Sequence, residues 1–266
     1  MSVYLGIGNT AHEVSNLYAG IDGHARQVQK MYVSVNGQAR LVYQSQSGTP
    51  IGNLAVGSTV KISVGGSVTD FIVVHQGLPD SMYDASCNGT WLLMQDIYEN
   101  RAWHSSNTND YANSTIHSYL NSTFLNLFES NIKSAIKQVK IPYRKGSGVS
   151  TTVTSGSNGL SAKIFLLSAT ETSFSFSSMP SGEGAELTYF KGYADNSSDP
   201  NRVAYLNGSA TYWWLRSPNC GYSGSALGVD SSGGLYGSGC SSSYGIRPCM
   251  ILSPDTLVDD TGRVIV

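Results

Sequence analysis

The sequence predicts an α+β protein, and three observations carry that expectation. A fourteen-residue repeat with hairpin turns fills the N-terminus. A single run of helix-capping residues and amphipathic spacing then lies between β-prone segments. Finally, the C-terminal fifth sets a stretch of Gly, Ser, Tyr, Asn and Cys between two motifs rich in large rings and arginine.

Tyr4, Tyr18 and Tyr32 are spaced by fourteen residues, and each opens a copy: Tyr4 to Asn9, Tyr18 to Gly23, Tyr32 to Gly37. Matching second halves begin at Ala11, Ala25 and Ala39, and Asp22-Gly23 and Asn36-Gly37 are type I′ hairpin signals. Residues 1–45 therefore read as a β-meander of three hairpins, a module too small to bury much surface alone and suited to assembly or attachment. Gln44 to Pro50 breaks the pattern as a linker, so the main domain is expected over 46–266. There, Thr59–Val64, a Gly65-Gly66 turn and Phe71–His75 predict an antiparallel pair, and Trp91–Met94 a buried strand. Ser114, Ser122 or Thr123, and Ser130 are the expected caps of successive helices presenting Ile116, Tyr119 and Leu120, then Leu127 and Phe128, then Ile132, Ala135 and Ile136. Gly146–Gly159 reads as a loop, Ala162–Leu167 as a strand, and Ser173–Pro200 as a long irregular excursion.

Composition narrows the function classes. Only 13% of the 266 residues are charged, about half the usual share, whereas Gly numbers 29. Such a surface is polar but weakly charged, as in secreted adhesins and fibre proteins. The formal charge of −2 and the absence of a basic stripe argue against nucleic-acid binding. No Lys or Arg precedes Arg26 and no apolar run reaches signal-peptide or membrane-spanning length, so neither export through a signal peptide nor membrane insertion is expected. Cys87, Cys220, Cys240 and Cys249 lack CxxC spacing, which argues against structural zinc, and free thiols are the default.

Trp213-Trp214-Leu215-Arg216-Ser217-Pro218 opens the C-terminal segment and Gly245-Ile246-Arg247-Pro248 closes it. Trp213, Trp214, Arg216, Arg247 and Pro248 read as a frame, because Trp buries a large area and Arg fork-bonds carboxylates or carbonyls. Between them, Asn219 to Tyr244 contains no Lys, Arg, Glu, Gln, Met or Trp, while Tyr222, Tyr236 and Tyr244 stand among serines and glycines. Paratopes use that mixture: Tyr supplies contact area at low entropy cost, and Ser, Gly and Asn adapt their hydrogen bonds.

With these end motifs in view, the run from Leu54 to Leu252 resembles a domain family of gut bacteria and their phages. The resemblance rests on Leu54 to Val60, Arg101-Ala102-Trp103, Tyr119-Leu120-Asn121, Tyr212 to Pro218 and Gly245 to Pro248. That family looks like a branch of the C-type-lectin-like fold shared with formylglycine-generating enzymes, some of whose members are variable proteins of diversity-generating retroelements. The resemblance implies two or three helices packed on twisted antiparallel sheets, with a diversified binding surface between the two motifs. It points to Asn219, Cys220, Tyr222, Ser223, Ser225, Leu227, Tyr236, Ser238, Cys240, Ser242, Ser243 and Tyr244 as ligand-binding positions. Ala226, Val229, Gly233, Gly234 and Leu235 read as scaffold, since Asp230 to Gly234 is a hairpin turn between two strands.

Enzyme readings fare worse. A formylglycine-type oxidase needs paired cysteines to hold copper, and Cys220 and Cys240 qualify by location alone. The five histidines, His12, His24, His75, His104 and His117, sit in ordinary contexts without a GxSxG elbow. Asp195 to Asp199 and Asp255, Asp259 and Asp260 lack EF-hand spacing. The expectation is a non-enzymatic receptor-binding protein of a phage tail or bacterial cell surface, with no cofactor and no metal. Its partners would be a host-cell protein or glycan, and other virion proteins through the N-terminal module. The competing readings are a structural virion or cell-surface protein that uses the fold for assembly only, and a carbohydrate-binding adhesin.

Overall fold

The computed structural model describes residues 4–7, 10–13, 17–28, 30–44, 48–144, 152–175, 182–192 and 199–266. The chain divides into two compact units, Met1–Gly48 and Thr49–Val266. In the first, Tyr4–Ile7 pairs with Thr10–Glu13, Tyr18–Ile21 with His24–Gln27, and Lys30–Val35 with Gln38–Gln44, all antiparallel. Asp22 and Asn36 take φ of 51° and 52° and their following glycines 77°, the doubly left-handed backbone that matches a turn to the twist of its strands. No ladder among the described residues joins one hairpin to the next, so the expected continuous meander is instead three separate ribbons. None of the described side chains in this unit is buried.

The second unit is built on two five-stranded sheets. Its strands are β1 Thr59–Val64, β2 Ser67–Gly77, β3 Gly89–Met94, β4 Glu99–Ala102, β5 Ile164–Phe165, β6 Trp213–Pro218, β7 Ser225–Val229, β8 Leu235–Gly239, β9 Ser243–Ile246 and β10 Cys249–Leu252. The first sheet runs β5-β10-β3-β2-β1 and the second β4-β9-β6-β7-β8. All neighbours are antiparallel except β6 and β9, which are parallel and meet at Trp213 and Gly245. Because successive residues of a strand point to opposite faces, the apolar runs of β2, β3 and β10 feed two cores at once. Phe71, Val73, Leu92, Met94, Met250 and Leu252 enter one cluster, while Ile72, Val74, Trp91, Leu93, Cys249 and Ile251 enter the other. Burial on both faces is why these strands are continuous in apolar residues instead of alternating. The second sheet divides likewise, with Trp214, Ala226 and Ile246 on the first cluster and Trp213, Leu215, Leu227 and Val229 on the second.

The expected α+β class, a C-type-lectin-like set of two or three helices on twisted sheets, is overturned. The protein is mostly β, 41% strand against 17% helix, in many small sheets with one helical stretch of 13 residues. That stretch is α-helical only over Thr115–Tyr119, widens to a π turn over Leu120–Phe124 and tightens to a 3-10 turn over Leu125–Leu127. Ser114 caps it by accepting the His117 N–H at 3.2 Å. Ser122 starts no second helix; its hydroxyl turns back to the Ser118 carbonyl at 2.7 Å, and Asn121-Ser122-Thr123 are poor helix formers. Phe128 is extended, with φ −81° and ψ 144°. Ser130 lies inside a six-residue helix, Ser130–Ala135, whose cap position is Glu129. Ile116, Leu120, Phe124, Phe128, Ile132 and Ile136 all reach the first core cluster, so the apolar periodicity marks burial correctly while the backbone between those positions is too broken for a helical layer. The loop expected over Gly146–Gly159 and the excursion over Ser173–Pro200 lie partly outside the described residues.

Candidate functional site

Between its two end motifs the C-terminal segment forms β7, β8 and the start of β9, with the loops that join them. The four tryptophans show how its support is built. Trp91, Trp103, Trp213 and Trp214 are fully buried, and each indole N–H donates to a distant or turn carbonyl: Cys87, Leu215, Arg202 and Arg101, at 2.8–3.1 Å. A buried Trp contributes packing without leaving its one polar atom unpaired.

Arg216 is the charged centre of the support. Its guanidinium forks onto Glu171, Nη1 to Oε2 at 2.5 Å and Nη2 to Oε1 at 2.7 Å. It also donates to the carbonyls of Pro142, Leu166 and Glu183. Glu171 accepts in turn from the Tyr83 hydroxyl at 2.7 Å and the Ser168 N–H at 2.9 Å. Burial by itself lowers an arginine's proton affinity, but the Glu171 charge and hydrogen bonds outweigh it and the Arg216 pKa rises. Glu183, 3.9 Å from the same arginine, has its pKa raised by burial, only partly offset by Arg216. A buried pair of this kind is costly to half-remove, roughly 3–5 kcal/mol when one partner goes.

Arg247 is buried against Trp213, its guanidinium 5.1 Å from the ring, and donates to the Met94 carbonyl at 2.8 Å. Burial lowers its pKa to about 10. Pro248 is buried beside it and accepts the Met94 N–H at 2.9 Å. Arg202, which the sequence reading passed over, is buried over the Phe174 ring and donates to the carbonyls of Thr172 and Ser173.

The twelve candidate contact residues separate by burial. Tyr222 is 72% exposed, and Ser223 and Ser243 are exposed; Asn219, Cys220, Ser225, Tyr236, Ser238, Ser242 and Tyr244 are half-buried. Leu227 and Cys240 require correction: at 4% and 0% exposure they belong to the two core clusters. Leu227 lies on the same face of β7 as Ser225 and Val229, and past the strand's first residue that face is covered by the second core cluster. Cys240 is the first residue after β8, and the Gly224 carbonyl accepts its N–H at 2.9 Å. Burial pushes the Cys240 thiol up to about 12 and also raises that of Cys220. All four cysteines are free thiols. Raised thiols are poor nucleophiles and poor ligands, since the thiolate is the reactive form.

Tyr222, Ser223, Ser225, Tyr236 and Tyr244 fall into two patches. In one, Tyr212, Tyr236 and Tyr244 meet edge to face or tilted, with ring centroids 4.9–5.7 Å apart, and Tyr244 also packs on Trp214 at 5.1 Å. The Tyr236 and Tyr244 hydroxyls are 3.3 Å apart. In the other, Asn107, Gly221, Tyr222, Ser223, Gly224, Ser225 and Gly239 line an open cleft of about 450 Å³. No charged residue lines it. Asn107 lies on the connection between β4 and the helical stretch, and its Oδ1 accepts from the Ser241 N–H and hydroxyl at 3.2 and 2.8 Å. Nothing in the local sequence marked Asn107 or its neighbour Asn109; only the fold brings that connection across to the segment more than a hundred residues later.

Residues 88–254, well over half of the chain, match a family described as a domain of unknown function (DUF6273). The chain belongs to the DUF6273 family. The match opens one residue before β3 and closes two after β10, so the DUF6273 region takes in the whole second sheet, the frame and both contact patches. No curated protein and no solved structure matches the chain. Among the described residues no group of three or more His, Cys, Asp or Glu side chains is arranged to hold a metal ion. No described helix is long and apolar enough to cross a membrane. Of the aspartates weighed for calcium, Asp195 lies outside the described residues, and Asp259 is engaged in a turn, accepting from Thr261 and Arg263.

Proposed function

We propose that this DUF6273 protein is a non-enzymatic ligand-binding protein, a receptor-binding component of a phage tail or cell surface that recognises its target through the two patches of the C-terminal segment. One observation carries the reading. Exposed and half-buried polar and aromatic side chains stand at the surface of a sheet whose support is deeply buried, from Trp213 and Trp214 to the Arg216–Glu171 pair. A contact surface that leans on residues outside itself changes its side chains without losing its fold. Tyr-, Ser-, Gly- and Asn-rich surfaces of this kind are adaptable binding surfaces. The resemblance of the end motifs to retroelement variable proteins supports the same reading, and the uncharged cleft favours neutral polar groups on the target.

The test is an alanine exchange at each of Tyr222, Tyr236 and Tyr244, read by melting temperature and by binding to host cells or to a glycan and protein array. Tyr222→Ala is expected to shift stability by about 0.5 kcal/mol or less and to weaken binding by about 2 kcal/mol or more, as truncated hot spots do. Tyr244→Ala, which also loses contact with Trp214, is expected to cost more stability. Binding that survives all three exchanges excludes these patches as the contact surface.

A further inference from the structure

The loop Asn219 to Ser225 carries the most exposed candidate contact residue, and its shape is held by its own backbone, by the Asn219 side chain, which accepts the Gly221 N–H at 2.9 Å, and by a residue outside it. Asn109 is fully buried, and its side-chain amide Nδ2 donates to three loop carbonyls: Asn219 at 3.1 Å, Tyr222 at 3.2 Å and Ser225 at 3.1 Å. Its own backbone N–H donates to a fourth, that of Ser223, at 3.0 Å. The loop closes around this centre with its own backbone bonds, Asn219 N–H to Ser225, Tyr222 N–H to Asn219 and Ser225 N–H to Tyr222, at 2.9, 3.3 and 3.0 Å.

Apart from the bond to the Asn219 side chain, every one of these ends on backbone. The side chains of Cys220, Tyr222 and Ser223 take no part in them. A loop fixed through its own side chains changes shape when they are replaced; one fixed through its carbonyls by a residue elsewhere in the chain does not. Asn suits the task because its amide offers two N–H donors, shared among the three carbonyls, from a short stem. An aspartate there would face the same carbonyls with acceptors only.

We propose that Asn109 is the positioning residue of the contact loop, holding the backbone of residues 219–225 so that the side chains at 220, 222 and 223 are interchangeable without change of loop shape. The proposal rests on the ligand-binding reading for its purpose but not for its test. Hydrogen exchange is measured on the full-length protein and on Asn109→Ala and Asn109→Leu, the second filling nearly the original volume without any donor. Exchange at the Tyr222, Ser225 and Cys240 amides, which all bond within or onto the loop, is expected to speed up about tenfold or more, as local opening allows, while the β3 amides stay protected. In the wild-type background, Tyr222→Ser and Ser223→Tyr are expected to leave exchange at Ser225 and Cys240 unchanged.

Unchanged loop exchange in both Asn109 variants overturns the proposal, as does loop opening in Tyr222→Ser or Ser223→Tyr. A purely structural role is recognised by loss of protection in β3 to the same extent as in the loop, and it also overturns the proposal. If neither variant folds, Asn109→Ser, which keeps one donor, is judged by the same criteria. Failure of the wild-type protein to bind cells or arrays counts against the functional reading alone, since loop exchange is measured without ligand.

Discussion

Single residues are tuned here by burial more than by charge. His117 sits beside Tyr111, ring centroids 5.2 Å apart, on the first turn of the helical stretch. Burial lowers its pKa to about 4 from the usual 6.5. The unfolded chain therefore takes up a proton before the folded one does. The stability His117 contributes is complete above about pH 6.5 and is lost as pH falls through about 4. The loss is expected to be roughly 1–2 kcal/mol, below the full linkage value because the ring is partly exposed. Chemical denaturation at pH 7, 5.5 and 4 checks it against His117→Gln, in which the part of the pH slope due to this ring disappears. A slope identical in the two proteins rules His117 out as the source.

Among the elements, the β7–β8 hairpin holds the second sheet's outer edge, and its turn is built by one aspartate and one glycine. Asp230 Oδ1 accepts from the Ser232 N–H and hydroxyl and from the Gly234 N–H, at 2.7–2.9 Å. Gly233 has φ of 88°, and a Cβ there would lie 2.1 Å from the Asp199 carbonyl oxygen. Both the left-handed backbone and the closeness of the neighbouring chain demand glycine. Gly233→Ala is expected to destabilise by about 2 kcal/mol or more, beyond the usual cost of a left-handed alanine, because Asp199 must move as well. Thermal denaturation measures it, with Ser231→Ala, exposed in the same turn, as the control expected within about 0.5 kcal/mol of wild type. Equal melting temperatures for the two variants would show that the turn yields easily.

For the molecule as a whole, both hydrophobic clusters are made of residues from Ile51 to Val264. The N-terminal unit has no buried side chain among those described, and it exposes Tyr18, Ile21, Tyr32, Val33 and Val35. A domain with a core of its own is able to fold alone. Residues 49–266 alone are expected to be soluble, with a circular dichroism spectrum rich in strand and a melting temperature close to that of the second unit in the full chain. An unfolded or aggregated fragment would show that the hairpins complete the larger unit.

Much of this protein is legible from local sequence. The Asp-Gly and Asn-Gly pairs specify tight left-handed turns, because few other residues tolerate that backbone. The runs around Val73 and Leu92 announce strands, since short apolar stretches with β-branched and aromatic residues stand there without helical spacing. The candidate contact surface was legible only as composition. Local pattern misled in two places, and both concern neighbours distant in sequence. The capped, apolar-spaced region 114–136 reads as helices, yet it breaks into short α, π and 3-10 turns, because its side chains need only reach the core and the intervening Asn, Ser and Thr do little to keep the helix regular. Leu227 and Cys240 share the composition of their exposed neighbours, but whether a strand face or the turn after a strand is covered depends on which distant residues pack against it. The same reason hides Asn107 and Asn109, whose importance comes from carbonyls and hydroxyls that sequence places more than a hundred residues away. Sequence alone determined the turns, the strand-forming runs and the chemical character of the C-terminal segment, because these depend on each residue's own backbone and solvation preferences. Only the tertiary structure decided the mostly β architecture, the partition of the segment into core and surface, and the asparagine that holds its loop, because those follow from which distant groups must share one buried space.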